Sequence, residues 1–427
     1  MSTENTHSLA IKDELQERAI SLGCGTNDRI VGITGQAGTG KTTIMRQIHD
    51  AFSSAGHAVA IAAPTGKAAK RISEATGLPA VTLHKLLEYT HPGDPDPKTG
   101  KVTGVSVPRR GPDNRLAQSV ILVDEYSMIN TELDRALLDA IPAGGLVRCF
   151  GDINQLPPIE EGGFSRNSKP EPSPFERHLK LFPSVKLVNI YRQGEGSGIV
   201  KNAHRILQGF MPQQADDFKM IIGKNPVQSV LDIVMEDDGK KFSQLDYQII
   251  VPMNKGWIGT TALNKKVQEL IQGNNLHNAM VMPRSKWDKN DMVLCPGDKI
   301  IWMKNDYELE IYNGETGTVV EFQHDQIVID FGDRTVAVPP WVEYTHADGS
   351  IKGYDPRVQI NLAYVVTTHK SQGSEYIHAV YVMDKASWIM QDRSNFYTAV
   401  TRGRRHVTVI SDQKSLQSAV STVKHRV

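Results

Sequence analysis

Lys41 and Thr42 close the octapeptide GQAGTGKT (residues 35–42), which fits the pattern G-x-x-x-x-G-K-[ST]. Each residue type has a task in holding a chain of phosphates. Gly35, Gly38 and Gly40 have no side chain, so backbone N–H groups can wrap the anion. Lys41 neutralises the β- and γ-phosphates, and the Thr42 hydroxyl is a hard ligand for Mg²⁺. The pattern needs a strand before it and a helix after it. Residues 29–34 (RIVGIT) are a short β-branched run, and 42–55 carry a helical pattern, so that context is met.

Asp124 and Glu125 end a second apolar run, 119–125 (SVILVDE), at the carboxyl edge where ligands gather in parallel sheets. Phosphoryl transfer relies on positioning and charge neutralisation. Asp124 is assigned to Mg²⁺ through water, and Glu125 to polarising the attacking water. A further strand, 146–152 (LVRCFGD), leads into GDINQLPP (151–158) and brings Gln155 to the same edge. Arg192 in YRQ and Arg402 in YTAVTRGR come from much later in the chain. An arginine supplied by another unit stabilises charge on the terminal phosphate and makes cleft closure depend on nucleotide, as a motor cycle requires. No NKxD guanine signature follows the phosphate loop.

The elements that must carry these residues alternate strand and helix. Runs at 29–34, 58–65 (AVAIAAPT), 119–125 and 146–152 are nearly continuously apolar, as expected for parallel strands buried on both faces. A second α/β pattern starts near residue 185, includes 247–253 (YQIIVPM), and resumes at 363–368, 378–383 and 406–411. Between its parts lies a strand-rich block, 281–354, with NG, HD and GD turn signals, which reads as a small inserted β-barrel. A polar, Pro- and Gly-rich insertion spans 90–118, with 101–110 a candidate hairpin, and 165–174 reads as a linker.

Composition narrows the class further. The chain has 427 residues, 39% of them hydrophobic, enough for real cores. No apolar run reaches the ~18 residues that a membrane span needs. Its first residues lack the pattern of a signal peptide. Three scattered cysteines suggest neither a metal site nor a disulfide framework, so a reducing, cytoplasmic setting is expected. Lys plus Arg equals Asp plus Glu at 48 each, so any nucleic-acid contact must use a local basic groove.

Taken in order, GQAGTGKTT, APTGKAA, TLHKLL, VDEYSM, GDINQLPP, YRQ, THKSQGSE and YTAVTRGR resemble superfamily 1 helicases, most closely the B group that contains RecD and Dda. The resemblance runs from about residue 16 to the C-terminus. It implies an α/β fold of two RecA-like P-loop domains, with a small hairpin insertion in the first and an SH3-like β-barrel insertion in the second. The boundaries would be 1–175 for the first domain (pin-like hairpin 88–118), 176–280 and 355–427 for the second, and 281–354 for the barrel.

The resemblance also implies roles. Gln16 would read the adenine of ATP. Gly35, Ala37, Gly38, Thr39, Gly40, Lys41, Thr42 and Thr43 would hold its phosphates, with Gln155 a γ-phosphate sensor and Arg192 and Arg402 the arginine fingers. Gly373 would lie near the γ-phosphate and Glu375 near the ribose. Pro64, Thr65, Lys67, Thr82, His84, Thr367, Thr368 and His369 would contact the backbone of single-stranded DNA, with no sequence code.

Other readings stand beside these. His84 also suits a cap or the core, and Lys67, Lys70 and Arg71 suit a solvated helix face. Tyr126, Phe164, Tyr191, Trp257 and Tyr307 are candidate base-stacking aromatics. The insertion lacks an aromatic between His91 and Gln118, which leaves Val105 or Val107 for a pin tip.

The implied activity is ATP-dependent unwinding of DNA by a monomeric motor moving 5′ to 3′ on single strands and acting at single-strand/duplex junctions. Single-strand binding protein and replication or recombination proteins are implied partners, in a bacterial cell or encoded by a phage. The alternatives are a translocase that strips proteins from DNA with little unwinding, and a nucleotide-dependent binding switch without a motor cycle. RNA is an open alternative as the strand.

Overall fold

The computed structural model describes residues 13–90, 106–158, 172–191, 197–236, 240–283, 292–306, 308–345 and 350–423. The first α/β unit runs α1 (Glu14–Cys24), β1 (Ile30–Gly35), α2 (Lys41–Ser54), β2 (Val59–Ala63), α3 (Gly66–Thr76), β3 (Ala80–Thr82), α4 (Leu83–Leu86), β4 (Val120–Val123), α5 (Thr131–Ala140), β5 (Leu146–Gly151), α6 (Pro174–Leu181) and β6 (Ser184–Leu187). Its strands pair in parallel in the order β3-β2-β4-β5-β1-β6. β1 and β4 are buried along their whole length, as their apolar runs require. On α2, Ile44, Ile48 and Phe52 recur at i, i+4 and i+8 and lie in the core with Val31 and Ile33 of β1.

The expected boundary at residue 175 is wrong. α6 starts on a Ser173–Glu176 capping box with Pro174 in its first turn, then returns the chain to β6, the sixth strand of the first sheet. Gly32 permits the close approach of α6: a Cβ there would come within 2.5 Å of Leu179.

The second unit runs α7 (Gly198–Leu207), β7 (Phe218–Ile222), α8 (Pro226–Met235), α9 (Lys240–Ser243), β8 (Tyr247–Val251) and α10 (Thr260–Gln272). A block of antiparallel strands intervenes: β9 (Met280–Val281), β10 (Val293–Leu294), β11 (Lys299–Trp302), β12 (Thr316–Gln323), β13 (Gln326–Asp330), β14 (Thr335–Val338), β15 (Val342–Thr345), β16 (Ile351–Tyr354) and β17 (Ile360–Leu362). The unit then resumes with β18 (Val365–Thr367), α11 (Thr368–Ser371), β19 (Tyr376–Val382), α12 (Arg393–Val400), β20 (Gly403–Ser411) and α13 (Gln413–Ser421).

Its parallel sheet has the order β18-β8-β19-β20-β7 among the described residues. The antiparallel sheet has the order β14-β13-β12-β11-β17, so it draws on residues 360–362, past the expected limit of 354. Ile300, Trp302, Ile327, Ile329 and Val338 form its core. Among the described residues, no helix is long and apolar enough to cross a membrane. The first half of the hairpin expected at 101–110, residues 101–105, lies outside the described residues. Of the insertion, Tyr89 bridges to Pro108, and Gly111 to Asn114.

Asp298 joins the antiparallel block to the second unit. Its buried carboxylate accepts hydrogen bonds from Gln268 Nε2 (2.5 Å), Gln272 Nε2 (2.8 Å), Cys295 N (2.7 Å) and Tyr364 Oη (2.8 Å). Burial pushes its pKa up, against the pull of those donors. Asp298→Ala strands four donors in the interior. It is expected to destabilise the fold by about 3 kcal/mol or more, with Asp298→Asn milder. The denaturant midpoint checks this, and an unchanged midpoint would show that the donors find other partners.

Candidate functional site

The phosphate loop is shaped by its glycines and by α1. Gly38 and Gly40 have φ of 83° and 87°, a region L side chains rarely adopt. Gly40 precedes α2 with no side-chain cap, which leaves the first N–H groups of that helix for an anion. Thr39 Oγ1 donates to Gln36 O (2.9 Å), and Lys41 Nζ donates to Gly35 O (2.6 Å) and Gln36 O (3.0 Å), so the ammonium lies over the mouth of the loop.

Gln16 on α1 donates its amide to Thr39 O (3.1 Å), and a Cβ at Gly40 would meet that amide nitrogen at 2.5 Å. Ala37 and Gln36 face the cleft between the units, Thr42 is half-buried, and Thr43 is exposed. Tyr191, a candidate base-stacking aromatic, is fastened to the phosphate loop and to Asp13. Its N–H donates to Gly38 O (2.8 Å) and its hydroxyl to Asp13 Oδ2 (2.5 Å). That hydrogen bond is the main reason the Asp13 carboxyl is held below its ordinary pKa.

Asp124 and Glu125 are both buried at the end of β4. Glu125 takes a left-handed backbone (φ 50°, ψ 39°), and its N–H donates to Asp124 Oδ1 (2.9 Å). A non-glycine residue held there costs about 1 kcal/mol, strain of the kind that collects at functional sites. Burial, then the Glu125 charge, pushes the Asp124 pKa up, while Lys41 and Arg71 pull it down. A buried carboxylate such as Asp124 fits Mg²⁺, which prefers oxygen ligands. Among the described residues no cluster of three or more His, Cys, Asp or Glu could hold a metal, so Mg²⁺ here would depend on phosphates and water.

Gln155 is buried in the loop after β5, with its N–H on Asp152 O (3.1 Å). That loop is fastened to the second unit. Tyr397 Oη donates to Asp152 Oδ2 (2.6 Å), Leu156 N to Thr398 Oγ1 (2.9 Å) and Gln372 Nε2 to Leu156 O (3.0 Å).

Arg402 is 2% exposed, and its guanidinium is committed to its own unit. It donates to Thr398 O (3.0 Å), Ser374 O (3.2 Å) and Thr401 Oγ1 (3.2 Å). Arg404, two residues on, lines the cleft with Gln36, Ala37 and Glu375. Arg192 lies outside the described residues. Gly373, expected near the γ-phosphate, packs instead against α3, where a Cβ would lie 3.4 Å from Ala68 Cβ and 3.6 Å from Thr65 Oγ1.

On the strand side, three of the expected hydroxyls are helix caps. Thr65 caps α3, Thr82 caps α4 and Thr367 caps α11, each accepting from the backbone three residues on. Thr65, Lys67, His369 and Lys370 line a groove that Asn313 and Gly314 of the antiparallel block close from one side. Pro64 is half-buried beside them.

Other expected contacts are engaged elsewhere. Thr368 is fully buried, its hydroxyl on Asn395 Oδ1 (2.8 Å), so its side chain is not available to a strand in this conformation. His84 packs against Tyr89 with centroids 4.7 Å apart, and burial lowers its pKa. Tyr126 is a core residue bonded to Asp134 and stacks on no base, whereas Trp257 is exposed. Phe164 and Tyr307 lie outside the described residues.

Comparison with known proteins gives an AAA domain match over residues 12–221 and a UvrD-like helicase C-terminal domain match over 362–410. The ATP-dependent RecD2 DNA helicase of Deinococcus radiodurans is 31% identical over 91% of this chain and 48% of its own length. The RecBCD enzyme subunit RecD of Mycolicibacterium smegmatis is 26% identical over 91% of this chain and 69% of its own. The chain thus spans about half of the first of these relatives and about two thirds of the second. Among solved structures, Pif1 helicase from Candida albicans superposes with a TM-score of 0.55 at 19% identity, covering 97% of each chain. Bacteroides Pif1 bound to ssDNA gives 0.54 at 20% identity, over 93% of this chain and 91% of that one. At these identities the likeness is one of fold: two RecA-like α/β units with parallel sheets.

Proposed function

We propose that this chain is a RecD-like helicase of superfamily 1B, driven by ATP and moving 5′ to 3′ along single strands of DNA. The observation that carries the reading is that the two units share two separate sites. Gln36 and Ala37 of the phosphate loop face Glu375 and Arg404 across one cleft, while Thr65 and Lys67 face His369 and Lys370 across a groove. A change of cleft width on hydrolysis therefore changes the groove as well, which is what a translocating grip needs.

In this reading Lys41 and the first turn of α2 bind the phosphates, and Gln16 and Glu375 flank the nucleoside. Glu125 takes a proton from the attacking water, and Gln155 senses the terminal phosphate. Thr42, and Asp124 through water, would hold Mg²⁺ brought in with ATP, which would supply charge neutralisation. Arg192 and Arg402 act as fingers, which requires Arg402 to leave its carbonyl partners when the cleft closes. Residues 88–118 act as the strand-separating pin. The antiparallel block acts as an SH3-like cover over the strand, supported by Lys370 Nζ on Asn313 Oδ1 (2.8 Å) and the ion pair of Lys70 with Asp333 (2.7 Å). The substrates are single-stranded DNA and its junctions with duplex, and single-strand binding and replication or recombination proteins are the partners such a motor meets.

ATPase assays with and without oligothymidine, coupled to displacement on 5′- and 3′-tailed forks, test the reading. Strand-stimulated turnover and opening of the 5′-tailed fork are expected. Turnover indifferent to the strand would sink the motor assignment, and opening of the 3′-tailed fork alone would reverse the polarity.

A further inference from the structure

Helix α3 carries two cations one turn apart that reach consecutive residues of the second unit. Lys67 Nζ lies 5.4 Å from the ring centroid of Tyr376, and Arg71 Nη1 lies 3.2 Å from Glu375 Oε1. The i, i+4 spacing puts both on one face of the helix. The two ends of that face open on different sites. Thr65 and Lys67, at the first turn, line the groove; Glu375, the partner of Arg71, lines the nucleotide cleft with Gln36 and Ala37. The positive charge of Arg71 also acts on Asp124 and Glu125.

The helix is closely packed where the units meet. Ala68 lies against Gly373, and Gly66 lies so close to Tyr312 that a Cβ would meet its Cβ at 2.6 Å. A helix is stiff along its axis, and six residues separate Thr65 from Arg71, a rise of about 9 Å. Movement of the first turn is therefore carried to the guanidinium.

We propose that Arg71 is a positioning residue for hydrolysis: it ties Glu375 to the first unit across the cleft, and through α3 it makes the arrangement around Asp124 and Glu125 respond to a strand bound at Thr65 and Lys67. A guanidinium suits the task, because it stays charged throughout and its several donors can hold Glu375 while facing the carboxylate pair. It acts through Glu375 and the carboxylates and does not itself touch the nucleotide. This inference rests on the helicase reading.

The test compares wild type, Arg71→Ala and Arg71→Lys for kcat and KM of ATP hydrolysis, with and without oligothymidine. Strand affinity by fluorescence anisotropy and nucleotide affinity with a fluorescent ADP complete it. Arg71→Ala is expected to lose about 10- to 100-fold in strand-stimulated kcat, the usual effect of removing a group that orients a catalytic carboxylate, with KM and both affinities within about threefold. Arg71→Lys keeps the charge but not the fork and is expected to fall between the two. It carries the test if the alanine variant does not fold. Wild-type stimulation in Arg71→Ala overturns the proposal, as does a loss confined to KM or strand affinity. A wild-type enzyme with no strand-stimulated turnover sinks the helicase reading itself, which separates the two failures.

Discussion

Lys41→Ala is expected to lower ATP turnover by about 10³-fold or more, a loss of about 4 kcal/mol of transition-state stabilisation, while single-strand affinity stays within about threefold of wild type. Lys41 brings a full positive charge to the loop mouth, held there by Gly35 O and Gln36 O until phosphate oxygens take their place. The N–H groups of the first turn of α2 remain in the variant but offer only partial charge. The loop keeps its shape, because Gly38, Gly40, the Thr39–Gln36 bond and the Gln16–Thr39 bond set it without the lysine. The strand groove is lined by Thr65, Lys67, His369 and Lys370, and Lys41 is not among its lining residues. Coupled ATPase assays and fluorescence anisotropy check both halves. Turnover within tenfold of wild type, or opening of a 5′-tailed duplex by the variant, would refute the assignment of Lys41.

The phosphate loop is legible in the sequence because its chemistry is local: eight consecutive residues carry the turn, the charge and the helix start. The strands that read as buried runs are legible for a similar reason, since burial on both faces leaves an apolar stretch that needs no partner to be recognised. Pairing is different. β6 joins β1 through backbone bonds that any short strand can make, so the Ser- and Pro-rich stretch before α6 passes for a domain boundary. The site residues divide in the same way. Spacing puts Lys67 and Arg71 on one face of α3, but a solvated face and an interface look alike until Glu375 and Tyr376 are packed on it. Nothing local to Arg402 reveals that its donors are spent on Thr398, Ser374 and Thr401, or that Thr368 is turned inward to Asn395. Tyr191 is fastened to the phosphate loop for a reason that lies about 150 residues away, in the carbonyl of Gly38.

Glu125→Gln is expected to lower kcat by about 10² to 10⁴-fold, the range of a lost general base, with ATP and strand binding retained. Glutamine matches glutamate in size and inherits the left-handed backbone at position 125, so the strain and the N–H bond to Asp124 Oδ1 are unchanged. The substitution removes one of two adjacent buried charges, which relieves repulsion that the Asp124 carboxyl otherwise feels. Stability is therefore expected to hold or rise slightly, in contrast to Lys41→Ala, where the phosphate site itself is weakened. The two variants fail at different steps. Without Lys41 the cleft has lost its main attraction for the γ-phosphate. With Glu125→Gln the cleft can load ATP, close and then stall, because no base takes the proton from water. A single-turnover assay separates them: the Glu125→Gln variant should hold unhydrolysed ATP, with a strand bound in the groove. If Glu125→Gln hydrolyses ATP at a rate within tenfold of wild type, the base is another group, and the buried pair at the end of β4 serves the metal alone.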